Sequence, residues 1–145
     1  IEYDSALLPR EKWFGYALID GPFFETLSVR ENIILLENFS NLLIDRVRYR
    51  ELLEYFEIDM FENTPMISLS AGQRERVNFV GALVHRPQVV ILDEPWANLD
   101  SHLFDKFISF IQKEKKDSKT TFIIVSHDNR FIQIASQHIE LIPHS

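Results

Sequence analysis

Two short apolar runs rich in β-branched residues are prominent along this chain. Val89 to Leu92 contains four consecutive apolar residues, and Thr120 to Val125 is a second run of this kind. The first run is typical of a strand that is buried on both faces of a parallel sheet, and the second run predicts another strand. Trp13 to Leu18 predicts a further strand near the start, and the weak alternation of His138 to Ile142 predicts a last one.

Apolar residues elsewhere recur at helical spacing. Ser28, followed by Glu31 three residues later, has the pattern of a capping box and predicts a helix that continues to about Asn38. Arg86-Pro87 predicts the end of another helix, because proline disfavours helical backbone before it. The further helices are predicted from about Asp45 to Phe56, from the Ser70 turn to about His85, from Asp100 to about Lys116, and from Asn129 to about Ser136.

The same spacing assigns positions to the core and to the surface. Lys113 to Asp117 is highly charged and is predicted to be the solvated end of its helix. Trp96 is expected to pack at an interface or in the core. The residues predicted to point inward are Val47, Leu52, Leu53, Phe56, Val77, Val80, Leu83, Val84, Leu103, Phe104, Phe107, Ile108, Phe110, Ile111, Phe131, Ile132 and Ala135.

Composition narrows the class of protein. The 145 residues are 46% hydrophobic and 26% charged, which fits one globular domain or part of one. The net charge of −7 argues against general binding to nucleic acid or to anionic membranes. The chain has no cysteine, which excludes disulfides and thiolate metal sites. No apolar run approaches the ~20 residues that span a bilayer, so membrane association would go through a partner.

A polar turn precedes the predicted helix that ends near His85. Ser70 and Gly72 lie at its start, where free N–H groups and the positive end of the helix dipole are available. These features make the turn a candidate anion site, and phosphate is the usual anion at such a position.

Acidic residues and a histidine follow two of the predicted buried strands. Asp93 and Glu94 come directly after Val89 to Leu92, and His127 follows Thr120 to Val125. Parallel sheets bind ligands outside the carboxyl ends of their strands. Asp93 is placed to reach Mg²⁺, directly or through water, and Glu94 is placed to orient or deprotonate an attacking water.

In this order the motifs resemble those of the nucleotide-binding subunit of an ATP-binding-cassette (ABC) transporter. Leu69–Gln73 is similar to that family's signature motif, Val89–Glu94 to its Walker B strand, Ala97–Asp100 to its D-loop, and His127 to its switch histidine. The resemblance implies an α/β fold of P-loop NTPase type, with a parallel sheet flanked by helices and a small helical subdomain. Residues 1–28 would hold a core strand and a Q-loop-like segment, residues 29–68 the helical subdomain, and residues 69–145 the rest of the ATPase core.

The resemblance also implies a function and its partners. The protein would couple binding and hydrolysis of ATP, with Mg²⁺, to transport by a transmembrane permease subunit. Two nucleotide-binding subunits would share each site. Asp93 would hold Mg²⁺, Glu94 would be the catalytic base and His127 would sense the γ-phosphate. Ser70, Gly72, Gln73 and Asp100 would contribute from the opposite subunit. Such a protein is expected in the cytoplasm, on the inner face of the membrane, without nucleic acid.

Two departures from the family pattern change these expectations. No Gly-x-x-x-x-Gly-Lys-Ser/Thr loop occurs, so the chain is expected to be the C-terminal portion of a longer protein and inactive by itself. The position of the Q-loop glutamine falls on Ile19 or Asp20. Asp20 could still bind a cation through its carboxylate, whereas Ile19 could not.

Three alternatives remain open from the sequence. The missing glutamine favours a degenerate, non-catalytic subunit, whereas Asp93, Glu94 and His127 favour an active one. A soluble ABC protein that acts on DNA or ribosomes would carry coiled-coil inserts or a second cassette. A structural module without nucleotide is disfavoured by the ordered motifs. With alanine at its third position, the motif Leu69–Gln73 also resembles that of the haem-exporter ATPases of cytochrome c maturation. The transported substrate and the direction of transport do not follow from the sequence.

Overall fold

The computed structural model describes residues 14–17, 21–40, 44–94, 96 and 98–139, without the side chains of residues 39 and 40. The strands β1, β2 and β3 span Phe14–Ala17, Val89–Asp93 and Thr121–Val125. The helices α1, α2, α3 and α4 span Val29–Ser40, Arg46–Tyr55, Ala71–Leu83 and Ser101–Asp117. Short 3₁₀-helices occur at Asp59–Phe61, Met66–Ser68 and Asn129–Phe131.

The three strands form one parallel sheet in the order β1-β2-β3. The central strand aligns Val90 with Gly15 on one side and with Phe122 on the other. A parallel pair needs a long crossover, and α4 provides it between β2 and β3. The predicted α/β fold with a parallel sheet is confirmed. Trp13, Leu18 and Asp20, which belong to the predicted first strand and the loop after it, lie outside the described residues.

One face of the sheet is packed and the other is partly open. Ala17, Val90 and Leu92 are fully buried beneath the helices. The opposite face leaves Tyr16 and Val125 about half exposed. In the central strand Val90 and Leu92 are buried, whereas Val89, Ile91 and Asp93 are half-buried. The prediction that this strand is buried on both faces is therefore confirmed for one face and only in part for the other.

Helix α3 lies unusually close to β1. A Cβ atom placed on Gly15 would come within 1.9 Å of the carbonyl oxygen of Ala82, in the last turn of α3. This distance is far below van der Waals contact, so only glycine fits at that point of the strand. The close approach brings the helix backbone directly onto the sheet.

The core of the molecule is built from aromatic rings. Phe79 of α3 contacts Phe56 after α2 and Phe107 of α4, with ring centroids 5.2 and 4.2 Å apart. Trp96, only 5% exposed, lies 3.9 Å from the ring of Phe131, between centroids. Edge and tilted contacts of this kind add to the free energy gained by burying the rings. The expectation that Trp96 packs in the core is confirmed.

A buried ion pair joins α2 to α4. Arg48 Nη2 lies 2.9 Å from Glu114 Oε2, and the two side chains are 9% and 8% exposed. The Arg48 guanidinium also lies 5.4 Å from the ring centre of Phe110. The prediction that Lys113 to Asp117 is wholly solvated is wrong at Glu114. This residue lies four positions after Phe110 and so shares the inward face of α4.

Two other local predictions are wrong. Val47 is 68% exposed because it precedes the buried Leu52 by five residues, about 140° around the helix. The helix predicted from Asn129 to about Ser136 is only the 3₁₀-helix Asn129–Phe131, after which the chain turns. Phe131 is buried as predicted.

The strand predicted from His138 to Ile142 is absent at the two residues of this range that the structure describes. Residues 138 and 139 are not in a strand, and residues 140–142 lie outside the described ranges. Ile132 and Ala135, which were predicted to point inward, are exposed. No helix in the described ranges combines the length and the apolar composition that crossing a membrane requires.

Candidate functional site

The carboxyl ends of β2 and β3 bring the predicted catalytic residues to one edge of the sheet. Asp93 is the last residue of β2 and is aligned with Val125, the last residue of β3. Glu94 follows with a left-handed backbone (φ 45°), and its N–H donates to the carbonyl of Val125 at 3.1 Å. A positive φ is uncommon for a residue with a Cβ and is often found at functional sites.

The carboxylate of Glu94 is held by the chain segment that follows β3. Its Oε1 accepts a hydrogen bond of 2.7 Å from the backbone N–H of His127. Its Oε2 accepts a longer one, 3.3 Å, from the hydroxyl of Ser126. These two donors fix the orientation of the carboxylate even though Glu94 itself lies on a loop.

The imidazole of His127 is fully exposed to solvent. Its Nε2 lies 3.9 Å from Glu94 Oε1, which is too long for a hydrogen bond. Glu94 and His127 are therefore brought together through the His127 backbone, and the ring stays available to a ligand at the edge of the sheet.

Asp93 is half-buried at the end of β2. Among the residues that the structure describes, no side chain or N–H group forms a hydrogen bond or an ion pair with its carboxylate. Carboxylate oxygen is a ligand that Mg²⁺ prefers, and the site therefore fits one protein ligand to this ion. No three His, Cys, Asp or Glu side chains of the described chain cluster tightly enough to hold a metal ion.

The turn Leu69–Gln73 at the start of α3, here named the signature turn, forms a complete capping box. Ser70 Oγ accepts from the N–H of Gln73 at 3.2 Å, and Gln73 Oε1 accepts from the N–H of Ser70 at 2.8 Å. Ser70 is exposed, and its hydroxyl hydrogen is still free to donate. The N–H groups of Ala71 and Gly72 at the helix start have no partner within the helix. This turn can therefore receive an anion.

The loop before α4 packs against the first two turns of α3. Asn98 donates from its backbone and its side chain to Glu75, and Gly72 faces the Asn98 carbonyl. Asp100 is the N-cap of α4, where its side chain accepts from the N–H of Leu103 at 2.9 Å. Ala97 lies outside the described residues. Sequence reasoning missed Glu75, because a glutamate in a helix is normally solvated.

Two basic residues of α3 and the turn after it make structural contacts. Arg76 Nη1 donates to the carbonyls of Phe56 and Glu57 at the end of α2, so this side chain bridges α3 and α2. Burial lowers the pKa of Arg76 below its ordinary value. The Nε2–H of His85 donates to the carbonyl of Phe14 in β1 at 3.0 Å.

The predicted site residues thus form two groups. Asp93, Glu94 and His127 meet at the sheet edge, and Ser70, Gly72 and Gln73 lie at the start of α3. Within the ranges that the structure describes, no hydrogen bond or ion pair joins the two groups. Asp20, the possible third carboxylate, is not among the described residues.

Comparison with known proteins identifies the family of this arrangement. The family model described as ABC transporter matches residues 9–97, which is more than half of the chain. The chain belongs to the ABC transporter family. Membership agrees with the motifs that the sequence carries.

Curated ABC proteins match over most of this chain. The lipoprotein-releasing system ATP-binding protein LolD of Neorickettsia sennetsu is 29% identical over 138 residues, which is 94% of this chain and 62% of that protein. LolD of Leptospira interrogans is 33% identical over 92% of this chain and 56% of its own length. The spermidine/putrescine import ATP-binding protein PotA of Clostridium novyi is 35% identical over 72% of this chain and 31% of its own.

Solved ABC cassettes have the same fold. A dimeric post-hydrolysis structure of the ATP-binding cassette MJ0796, bound to ADP and Pi, has a TM-score of 0.74 and 27% identity. It is matched over 83% of this chain and 55% of its own length. A second dimeric structure of MJ0796 has a TM-score of 0.75 and 26% identity, over 86% of this chain and 56% of its own. The chain thus spans about half the length of most of these proteins.

Proposed function

We propose that the protein is the ATP-binding and ATP-hydrolysing subunit of an ABC transporter. The observation that carries this proposal is the edge of the sheet where Asp93, the last residue of β2, and Glu94 after it lie next to Ser126 and His127. The second support is the capped, exposed start of α3. Together they offer a carboxylate for a cation, an oriented carboxylate for water and an anion-binding helix end.

In this mechanism Glu94 is the base for the attacking water. Its carboxylate is oriented by the N–H of His127 and the hydroxyl of Ser126, which leaves its remaining lone pairs for the water. The exposed imidazole of His127 turns toward the γ-phosphate. Asp93 would hold Mg²⁺, and the ion would supply positive charge against the phosphates of ATP. Phosphoryl transfer depends mainly on such positioning and charge stabilisation.

The start of α3 serves a second subunit of the same kind. Ser70, Gly72 and Gln73 contact the nucleotide that is bound to the neighbouring cassette, and Asp100 lies at the seam between the two. The dimeric MJ0796 structures, one of them with ADP and Pi, support this arrangement. A site that is divided between two subunits closes only when nucleotide is present, so closure can drive another component.

That component is a transmembrane permease subunit. Residues 29–68, which include α1 and α2, form the part that docks on it, and the protein lies at the cytoplasmic face of the membrane. Curated relatives are named as ATP-binding proteins of a lipoprotein-releasing system and of spermidine/putrescine import, which supports the association with transport.

Glu94→Gln in the full-length protein tests this function. ATP binding should be retained, phosphate release should fall by at least about 100-fold, and ATP should convert monomers to a stable dimer. The assays are nucleotide binding, phosphate release and size-exclusion chromatography with light scattering, which measures the molar mass of monomer and dimer. Asp117→Asn, at an exposed residue at the end of α4, is the matched control and should behave like the wild type. Phosphate release at the wild-type rate in Glu94→Gln would rule out Glu94 as the base.

A further inference from the structure

Glu75 makes more contacts than a helical surface glutamate normally does. Its Oε1 accepts a 2.6 Å hydrogen bond from Asn98 Nδ2. The backbone N–H of Asn98 points between the two carboxylate oxygens, at 3.2 and 3.1 Å. One carboxylate of α3 therefore binds both the main chain and the side chain of one residue in the loop before α4.

A second contact between the same two segments lies one turn earlier on α3. A Cβ on Gly72 would come within 2.7 Å of the carbonyl oxygen of Asn98. Gly72 and Glu75 are three residues apart, so they face the same side of the helix. Asn98 is thus held from two directions, by contact with the Gly72 backbone and by hydrogen bonds to Glu75.

The electrostatic setting of Glu75 differs from that of an ion pair. Burial raises the pKa of Glu75 above its ordinary value, and the hydrogen bonds from Asn98 offset this only in part. Among the described residues no cation pairs with it, so the Asn98 N–H groups are its compensating partners. Neighbouring Arg74, by contrast, pairs with exposed Glu25.

We infer that Glu75 is a positioning residue that locks the signature turn to the loop before α4, so that both move as one unit toward a second subunit. The inference rests on the proposed function, in which both segments lie at the seam of the dimer. In a rigid unit, Ser70 and Asp100 already have the relative positions that the dimer requires before the second subunit binds. Without the link, each segment must be ordered separately when the dimer closes, and this costs conformational entropy.

The test measures dimer formation by ATP in the full-length Glu94→Gln protein, where hydrolysis cannot reverse it. Added Glu75→Ala should raise the ATP concentration for half-maximal dimer at least about 10-fold, because hydrogen bonds to a charged group are lost. Glu75→Gln keeps one acceptor oxygen and should recover part of the loss. Nucleotide affinity of the monomer should stay unchanged, which a general loss of structure would not allow.

A double-mutant cycle with Asn98→Ala assigns the effect to this pair. The combined Glu75→Ala and Asn98→Ala protein should be no worse than Glu75→Ala alone, because the two residues act through the same bonds. Asp117→Ala, at an exposed residue at the end of α4, is the control and should not shift the midpoint. Circular dichroism checks each fold, and if Glu75→Ala does not fold, the cycle is made with Glu75→Gln.

The possible failures can be told apart. If the Glu94→Gln parent does not dimerise with ATP, the proposed function itself fails. If the parent dimerises and Glu75→Ala has the same midpoint, or if the effects of Glu75→Ala and Asn98→Ala multiply, the positioning role is overturned and the function stands.

Discussion

The buried pair of Arg48 and Glu114 allows a quantitative prediction. Glu114→Gln keeps the shape of the side chain but removes its charge, which leaves the guanidinium of Arg48 in a site only 9% exposed. Removing one partner of a buried pair costs about 3–5 kcal/mol, mostly because the remaining charge is uncompensated. Since glutamine can still accept one hydrogen bond, we expect about 3 kcal/mol.

The assay is urea unfolding followed by far-ultraviolet circular dichroism. With a denaturant dependence of about 2 kcal/mol per molar urea, a loss of about 3 kcal/mol lowers the midpoint by about 1.5 M. Lys106→Met is the control. It removes the pair with Glu57, whose atoms are closer at 2.7 Å but whose side chains are 25% and 44% exposed, and it should cost at most about 1 kcal/mol.

A double replacement separates burial of charge from packing. Arg48→Met combined with Glu114→Leu should restore the midpoint to the wild-type value or above it, because the cost of burying charge disappears. An equal, small loss in Glu114→Gln and Lys106→Met would refute the reasoning, since it would mean that water reaches Arg48 as easily as it reaches a surface side chain.

Two further predictions concern the contact of α3 with β1. Gly15→Ala should destabilise the protein by at least about 1–3 kcal/mol in the same assay, because the added Cβ would overlap the carbonyl of Ala82; an unchanged midpoint would contradict the close approach. Burial lowers the pKa of His85 below 6.5, so below that pH the unfolded chain takes up the proton first. The free energy of unfolding should therefore decrease as the pH is lowered through this range, by at most about 1.4 kcal/mol per pH unit. His85→Asn should show a shallower dependence, and equal slopes would argue against burial.

Structural features that depend on residues close together in sequence could be predicted from the sequence. The apolar run from Val89 and the acids after it predict a strand with two carboxylates at its carboxyl end, and the structure has β2 there with Asp93 as its last residue. The capping box of Ser70 and Gln73 likewise follows from their spacing and forms as expected. In these places local preference and the final fold agree.

Predictions fail where a distant partner decides. Glu114 belongs to a charged segment, and only the approach of Arg48 from α2 makes it a buried residue. Glu75 resembles any exposed helical glutamate until the loop with Asn98 packs beside it. The helix expected after Asn129 is cut short after one turn. Contacts between residues so far apart in sequence carry no periodic signal, so no spacing rule detects them.

Trp96 provides an intrinsic fluorescent probe close to the proposed site at the edge of the sheet. The indole lies between Glu94 and Asn98 in sequence and is packed against the ring of Phe131, 3.9 Å between centroids. Its fluorescence depends on how closely these rings pack and on whether water enters. The chain contains one other tryptophan, Trp13, so Trp13→Phe leaves a single emitter. Changes in the packing of Trp96 when two subunits close around nucleotide can then be followed in real time, without attaching a dye.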